Sequence, residues 1–240
     1  MHEMSKEQQL YLKTLKKQRL FVVFSQIFLL ILFLCLWEIS SRLQWIDSFI
    51  FSSPSKIFNC FIEMLLTGSI FAHLFSTLKE TVLSFVLVTF FGIFTAVLLW
   101  YSKRLSEILD PYLVVLNSLP KSALAPLLIV WLGANQFTIV TAGMSVAIFG
   151  SILSLYTNFC SVDPEKITLI YTLGGNRYHV LRKVILPSSI PAIISNMKVN
   201  IGLCLVGVVI GEFLAAREGL GYLIIYSSQV FPFVYLLHII

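Results

Sequence analysis

Charge is what this sequence has least of. Of 240 residues only 12% are Asp, Glu, Lys or Arg, while 58% are hydrophobic and the mean hydropathy is +0.89. A soluble domain is about one quarter charged, so this chain has too little polar surface to face water on all sides. Its composition is that of a polytopic membrane protein. Cysteine is scarce and scattered: Cys35, Cys60, Cys160 and Cys204 form no C-x-x-C pair, so neither a disulfide framework nor a zinc site is indicated. His73, His179 and His238 share no metal-ligand spacing. No G-x-x-x-x-G-K-[ST] run is present, so the chain has no phosphate-cradling loop of its own. Internal repeats and low-complexity tracts are absent. Acidic residues are nearly missing from the apolar runs, with Glu38 and Glu212 at their ends. An inverted-repeat carrier with intramembrane carboxylates is therefore disfavoured.

What charge there is encodes topology. The net +5 comes from basic residues clustered between apolar runs, the pattern that orients spans rather than the footprint of a nucleic-acid binder. A span needs about 20 apolar residues. The first is expected over residues 20–39, preceded by Lys6, Lys13, Lys16, Lys17 and Arg19, which place residues 1–19 in the cytoplasm. That run is too long for a signal-peptide core and has no cleavage motif, so it is expected to be retained. Residues 40–76 form an external segment containing the turn or helix-start signal SSPSK at 52–56. Further spans are expected over 78–100, 111–132, 137–159 and 190–216. Residues 223–240 look like the beginning of a sixth span that the chain does not complete. Five full crossings and a C-terminal start make an all-α bundle, with residues 20–240 as one transmembrane domain.

Two places break the apolar pattern. The first is the cytoplasmic segment 161–187. Asp163 can cap a helix, Pro164 fits its first turn, and Glu165 suits the positive end of its dipole. Ile167, Ile170 and Tyr171 share a face. Gly174-Gly175 ends the helix, and Asn176 can cap a second one carrying Arg177, Tyr178, Leu181, Arg182 and Lys183. Two short helices folded at a double glycine serve either as a linker or as a docking element for a soluble partner. The second place is the third span, which carries Asn117, Pro120, Lys121 and Pro126. Prolines bend membrane helices where a watery cavity or a neighbour satisfies the freed backbone. A lysine at depth marks a functional site, and Asn117, Ser118, Lys121 and Ser122 are candidates for lining a translocation path. The alternative is that Lys121 snorkels to an interface. Glu212, with Arg217 and Glu218 close by, reads as half of a structural ion pair. Lys79 and Glu80 are expected to pair locally or face the bundle.

Gly174, nine residues, then Val184-Ile185-Leu186-Pro187 resembles the signature of ABC importer permeases: Glu-Ala-Ala, three residues, Gly, nine residues, Ile-x-Leu-Pro. SSPSKIF at 52–58, LDPYLVVLNSLPKSALAPLLIVWLG at 109–133, SVDPE at 161–165 and GEFLAAREGLGYLI at 211–224 resemble successive blocks of the nitrate/sulfonate/taurine-type branch. The resemblance implies a type I importer permease fold, with segment 161–187 as the coupling helix that sits in a cleft of a cytoplasmic ATPase. It assigns that contact to Glu165, Thr168, Leu169, Ile170, Gly174, Gly175 and Arg177, with Leu186 and Pro187 anchoring the element to the fifth span. Thr168-Leu169-Ile170 stands where the family has Glu-Ala-Ala, so the acidic contact must come from Glu165 or be replaced by an apolar one. The resemblance further implies an ATPase dimer, a second permease chain in a homodimer, an extracytoplasmic solute-binding protein and a bacterial inner membrane. ATP and magnesium belong to the ATPase, and this chain carries no cofactor and no catalysis. The implied solute is a small anion such as nitrate, bicarbonate, taurine or an alkanesulfonate, or a thiamine-precursor or vitamin-like molecule. Lys121 leans towards an anion. A self-sufficient channel or carrier is the competing class.

Overall fold

A computed structural model describes residues 6–46 and 52–226, with side chains from residue 16 onward except Ser122. Among these residues every regular element is a helix. The chain separates into two units, one up to Ser69 and one from Ile70.

The first unit contains α1 (Lys6–Arg42) and α2 (Pro54–Leu66). Residues 16–42 of α1 are long and apolar enough to cross a membrane. Leu20, Phe21, Phe24 and Phe28 point outward, as lipid-facing side chains do. Near its end Glu38 accepts from Arg42 Nε at 2.8 Å, from Ser55 N at 3.1 Å and from Ser55 Oγ at 2.8 Å, tying α1 to α2. The SSPSK signal is a helix start: Ser53 caps and Pro54 opens α2. The expected external stretch is thus partly helical.

The second unit begins with α3 (Ser69–Tyr101), which starts well before the expected Leu78. Its buried face is Thr77, Glu80, Thr81, Ser84, Val88, Gly92, Ala96 and Leu99. The period is helical, and the buried residues are mostly small or polar while Phe90, Phe91 and Phe94 point out. This inside-out pattern suits helices that meet in lipid, where close packing and hydrogen bonds drive association. Ser84 Oγ donates across to Val140 O at 3.1 Å.

Next come α4 (Lys103–Ser118) and α5 (Lys121–Leu132), then α6 (Gln136–Cys160). The third span, expected to bend at its prolines, is a helix pair bent by 106°. Leu119 is extended, the conformation favoured before a proline, and Pro120 takes the bend. Two short helices follow, α7 (Pro164–Thr172) and α8 (Arg177–Val180), and then α9 (Leu186–Ala215). Between α8 and α9, Leu181–Ile185 form a π-helical turn. The wider turn gives the Pro187 ring room that an α turn would deny it. The fifth apolar run is therefore one helix from Arg177 to Ala215, beginning before the expected Ile190. A final helix starts at residue 220, and the expected sixth span lies mostly outside the described residues.

α6 and α9 form the centre. A Cβ at Gly207 would lie 2.8 Å from Ala142 O and 2.8 Å from Gly143 Cα, so glycine lets the two backbones approach.

Candidate functional site

Segment 161–187 folds as its capping residues dictate. Asp163 Oδ1 accepts from Glu165 N at 2.9 Å and opens α7. Asn176 Oδ1 accepts from His179 N at 3.1 Å while Asn176 N donates to His179 Nδ1 at 3.2 Å, a reciprocal box that opens α8. The two glycines between them have different duties. Gly174 has φ +77 with open space around it, so it supplies the left-handed turn. Gly175 supplies closeness, because a Cβ there would sit 2.7 Å from Ile170 O.

Ile167, Ile170 and Leu186 pack on a buried cluster of Ala96, Leu155, Phe159, Val180, Leu181 and Ile185, which fixes the segment to the ends of α3, α6 and α9. Tyr171, grouped with Ile167 and Ile170 by spacing, is exposed instead. Glu165, Thr168 and Leu169 point outward, joined by Leu173 at 75% exposure. Pro187 is exposed in the first turn of α9. Arg177 is exposed but held. Its Nη2 donates to Trp100 O at 2.9 Å, and its guanidinium lies over the Trp100 and Tyr101 rings at 5.4 and 5.5 Å. It satisfies a carbonyl at the C-terminus of α3, the end that favours a cation.

At the α4–α5 bend, Lys121 Nζ donates to Asn117 O at 2.9 Å and Asn117 Oδ1 at 3.4 Å. Ser118 Oγ returns to Val114 O at 2.8 Å. The Ser122 side chain lies outside the described residues. Asn117 Oδ1 also approaches α6, 3.2 Å from where a Cβ of Gly150 would stand. There the bend meets a groove of about 520 Å³ between α6 and α9, lined among others by Ser151, Ser154, Thr157, Asn158, Ser195, Asn196 and Asn200. Ser151 Oγ donates to Asn196 Oδ1 at 2.6 Å, and Asn200 Nδ2 donates to Ser151 Oγ at 3.0 Å and Asn196 Oδ1 at 2.7 Å. The sequence reading missed this groove. Its signal was polar residues at helical spacing, 151–154–158–161 on one run and 195–196–200 on the other.

At the opposite end of α6 the loop after α9 is clasped to the bundle. Glu212 is 1% exposed. Its Oε1 accepts from Thr77 Oγ1 at 2.7 Å and its Oε2 from Gly221 N at 2.7 Å. Leu220 N donates to Thr77 Oγ1 at 2.9 Å, and Gly219 N to His73 Nδ1 at 3.1 Å. A Cβ at Gly219 would strike the Glu212 carboxylate. The expected ion pair is corrected here: among the described residues no cation lies within ion-pair distance of Glu212, and backbone N–H and hydroxyl groups satisfy it instead. Glu80 is buried and faces the bundle, while Lys79 lines a recess of about 880 Å³ with Gln136, Arg217 and Glu218. Among the described residues no cluster of three or more metal-ligating side chains exists.

Residues 88–236 match the model of the family "binding-protein-dependent transport system inner membrane component". The putative aliphatic sulfonates transport permease protein SsuC of Bacillus subtilis is 26% identical over 196 residues, 82% of this chain and 71% of that one. The formylaminopyrimidine transport permease protein ThiX of Halalkalibacterium halodurans is 27% identical over 192 residues, 80% of this chain and 76% of that one. The taurine transport system permease protein TauC of Escherichia coli is 27% identical over 201 residues, 80% and 71%. In such transporters ATP hydrolysis belongs to a separate subunit, and a binding protein brings the solute. The chain belongs to this family as a multi-pass inner-membrane permease of an ABC importer, in the branch that contains the sulfonate and taurine permeases.

Proposed function

We propose that this chain forms the membrane path for a small solute and that segment 161–187 is its ATPase-coupling element. The observation that carries the reading is the rigid packing of α7 on the bundle with Glu165, Thr168, Leu169 and Leu173 left facing outward. A push on those side chains moves the ends of α3, α6 and α9 together. With Thr168-Leu169-Ile170 at the signature position, the ATPase contact is apolar at Leu169 and Leu173, bordered by Glu165, while Ile170 faces the bundle. Gly174 and Gly175 set the turn, and Leu186 and Pro187 join it to α9. Arg177 holds the segment to α3.

The bent pair α4–α5 is read as one broken crossing. That makes five spans, with a sixth beginning after residue 220. The basic residues before the first span put the N-terminus in the cytoplasm, so residues 161–187 are cytoplasmic and the Glu212 clasp external. Two copies of the chain enclose the path, two ATPases bearing ATP and magnesium close beneath it, and the binding protein docks outside. Asn117, Ser118, Lys121 and Ser122 border the upper end of the path, with Lys121 closing the carbonyl end of α4. The solute is a small anion of the sulfonate, nitrate or bicarbonate kind, or a vitamin-precursor-like molecule.

Co-purification with the candidate ATPase tests the coupling element. The parent chain retains the ATPase, and Leu169→Asp with Leu173→Asp loses it at equal membrane abundance. A parent chain that never retains an ATPase, yet takes up solute in vesicles, is a carrier or channel and ends this reading.

A further inference from the structure

We infer that the groove between α6 and α9 is the solute-contacting stretch of the path, and that the solute it takes carries no net charge and is held by hydrogen bonds. The inference rests on the permease reading and narrows its solute class.

The groove cannot face lipid cheaply. Ser154, Thr157 and Ser195 are exposed on α6 and α9, where outward residues such as Ile190, Ile194 and Ile201 are apolar and Lys198 is the exposed cation of α9, one that does not line the groove. In hydrocarbon such polar groups need partners, so the groove borders water or protein. It is also built. Ser151, Asn196 and Asn200 order one another through three hydrogen bonds. Asn200 is 2% exposed, and its Oδ1 accepts from no described residue although it lies on the groove wall. The Asn196 Nδ2 hydrogens are likewise unused by described residues. A fixed acceptor and a fixed pair of donors therefore stand side by side, with Ala192, Val199 and Leu203 as apolar flanks.

No lining residue is charged. A bare anion here would leave water for amides and hydroxyls, with no opposite charge to compensate it. At the bend, Lys121 turns its ammonium to the carbonyl end of α4, and Lys198 of α9 is not among the lining residues. Two copies of such a groove make a neutral, hydrogen-bonding channel.

The test uses the complex with its ATPase in proteoliposomes, with Cys35, Cys60, Cys160 and Cys204 replaced by Ala. Ser154→Cys and Ser195→Cys, both nearly isosteric, are labelled separately with methyl methanethiosulfonate, which is neutral, and with its sulfonatoethyl analogue, an anion. Rates are normalised to those of a free thiol and taken with and without ATP. A neutral path labels at both positions, the anion reacting about tenfold more slowly than the neutral reagent. Anion labelling as fast as neutral labelling, or faster, overturns the inference. If Lys121→Gln then abolishes that advantage, the path is an anion path under Lys121. Failure of both reagents at both positions, with the ATPase bound and hydrolysing ATP normally, shows a sealed groove and overturns the inference while the permease reading stands. Loss of the ATPase from the parent complex removes both.

Discussion

The two ends of α6 face different chemistry. At its N-terminal end a recess gathers Lys79, Glu80, Arg217 and Glu218, and Glu212 is buried beside it as an acceptor for Thr77 and Gly221. Towards its C-terminal end the groove with α9 contains only hydroxyl, amide and apolar groups. The charged end is a fastening. Its buried carboxylate holds the loop after α9, and its glycines fit around that carboxylate. The uncharged end has unfilled hydrogen-bonding capacity. In a chain poor in charge, charged residues draw the eye first, yet here they mark structure while the solute chemistry sits among serines and asparagines.

The comparison breaks hardest at Glu212. Removing its carboxylate leaves the buried Thr77 hydroxyl and Gly221 N–H without an acceptor. At about 1–3 kcal/mol for each unsatisfied group, Glu212→Ala is expected to destabilise the chain by about 4 kcal/mol. Glu212→Gln keeps one acceptor oxygen and is expected to lose less than half of that. Thermal unfolding in detergent reads both. If Glu212→Ala unfolds like the parent, the clasp is not a fastening.

Asn200 reverses the balance. Asn200→Ala removes two donated hydrogen bonds beside an open, wettable groove, so the expected stability loss is about 1–2 kcal/mol. Uptake by the assembled transporter is expected to fall about tenfold, the size of one lost hydrogen-bonding contact in the path. ATPase retention stays at the parent level. Uptake that tracks the stability loss alone would make the Ser151–Asn196–Asn200 set a packing device and erase the contrast between the two ends.

How much of this was legible follows from how local each cause is. Asp163, Pro164 and Asn176 could be placed as helix starts because a cap bonds to residues two or three positions away. The apolar runs located the four helices long enough to cross a membrane, since such a helix is defined by its own length. The turn at Gly174-Gly175 was readable, but its division of labour was not. Only the backbone shows that Gly174 needs its dihedral and Gly175 its missing Cβ. The bend of the third span was readable from its prolines but its 106° size was not, because proline signals a bend without setting its angle. Glu212 misled because Arg217 is near it in sequence, whereas its side-chain donor Thr77 is 135 positions away. The groove was hidden for the same reason: Ser151 and Asn196 lie 45 positions apart, and uncharged polar residues barely disturb a hydropathy profile.

The smallest expected effect is the most useful for separating charge from hydrogen bonding. Lys121 is the cation at the α4–α5 bend, and the sequence leans on it for an anionic solute. In the structure two of its ammonium donors meet the Asn117 carbonyl and side-chain oxygen. A cation on an exposed helix end contributes about 0.3–1 kcal/mol. Lys121→Gln keeps a donor in reach of the same carbonyl and is expected to change uptake less than about threefold, with a stability loss below about 1 kcal/mol. Lys121→Ala, which removes the donor as well, is expected to loosen the α4–α5 bend slightly more. Its uptake should be restored by the Gln variant's donor rather than by charge, so the series Lys, Gln, Ala separates the two roles. If Gln and Ala both lose uptake of a sulfonate equally, and Lys121→Arg keeps it, the positive charge acts on the solute and the neutral groove is only part of the path. If Gln behaves as Lys, the ammonium is a helix-end cap, and the chemistry of transport lies with Asn196 and Asn200.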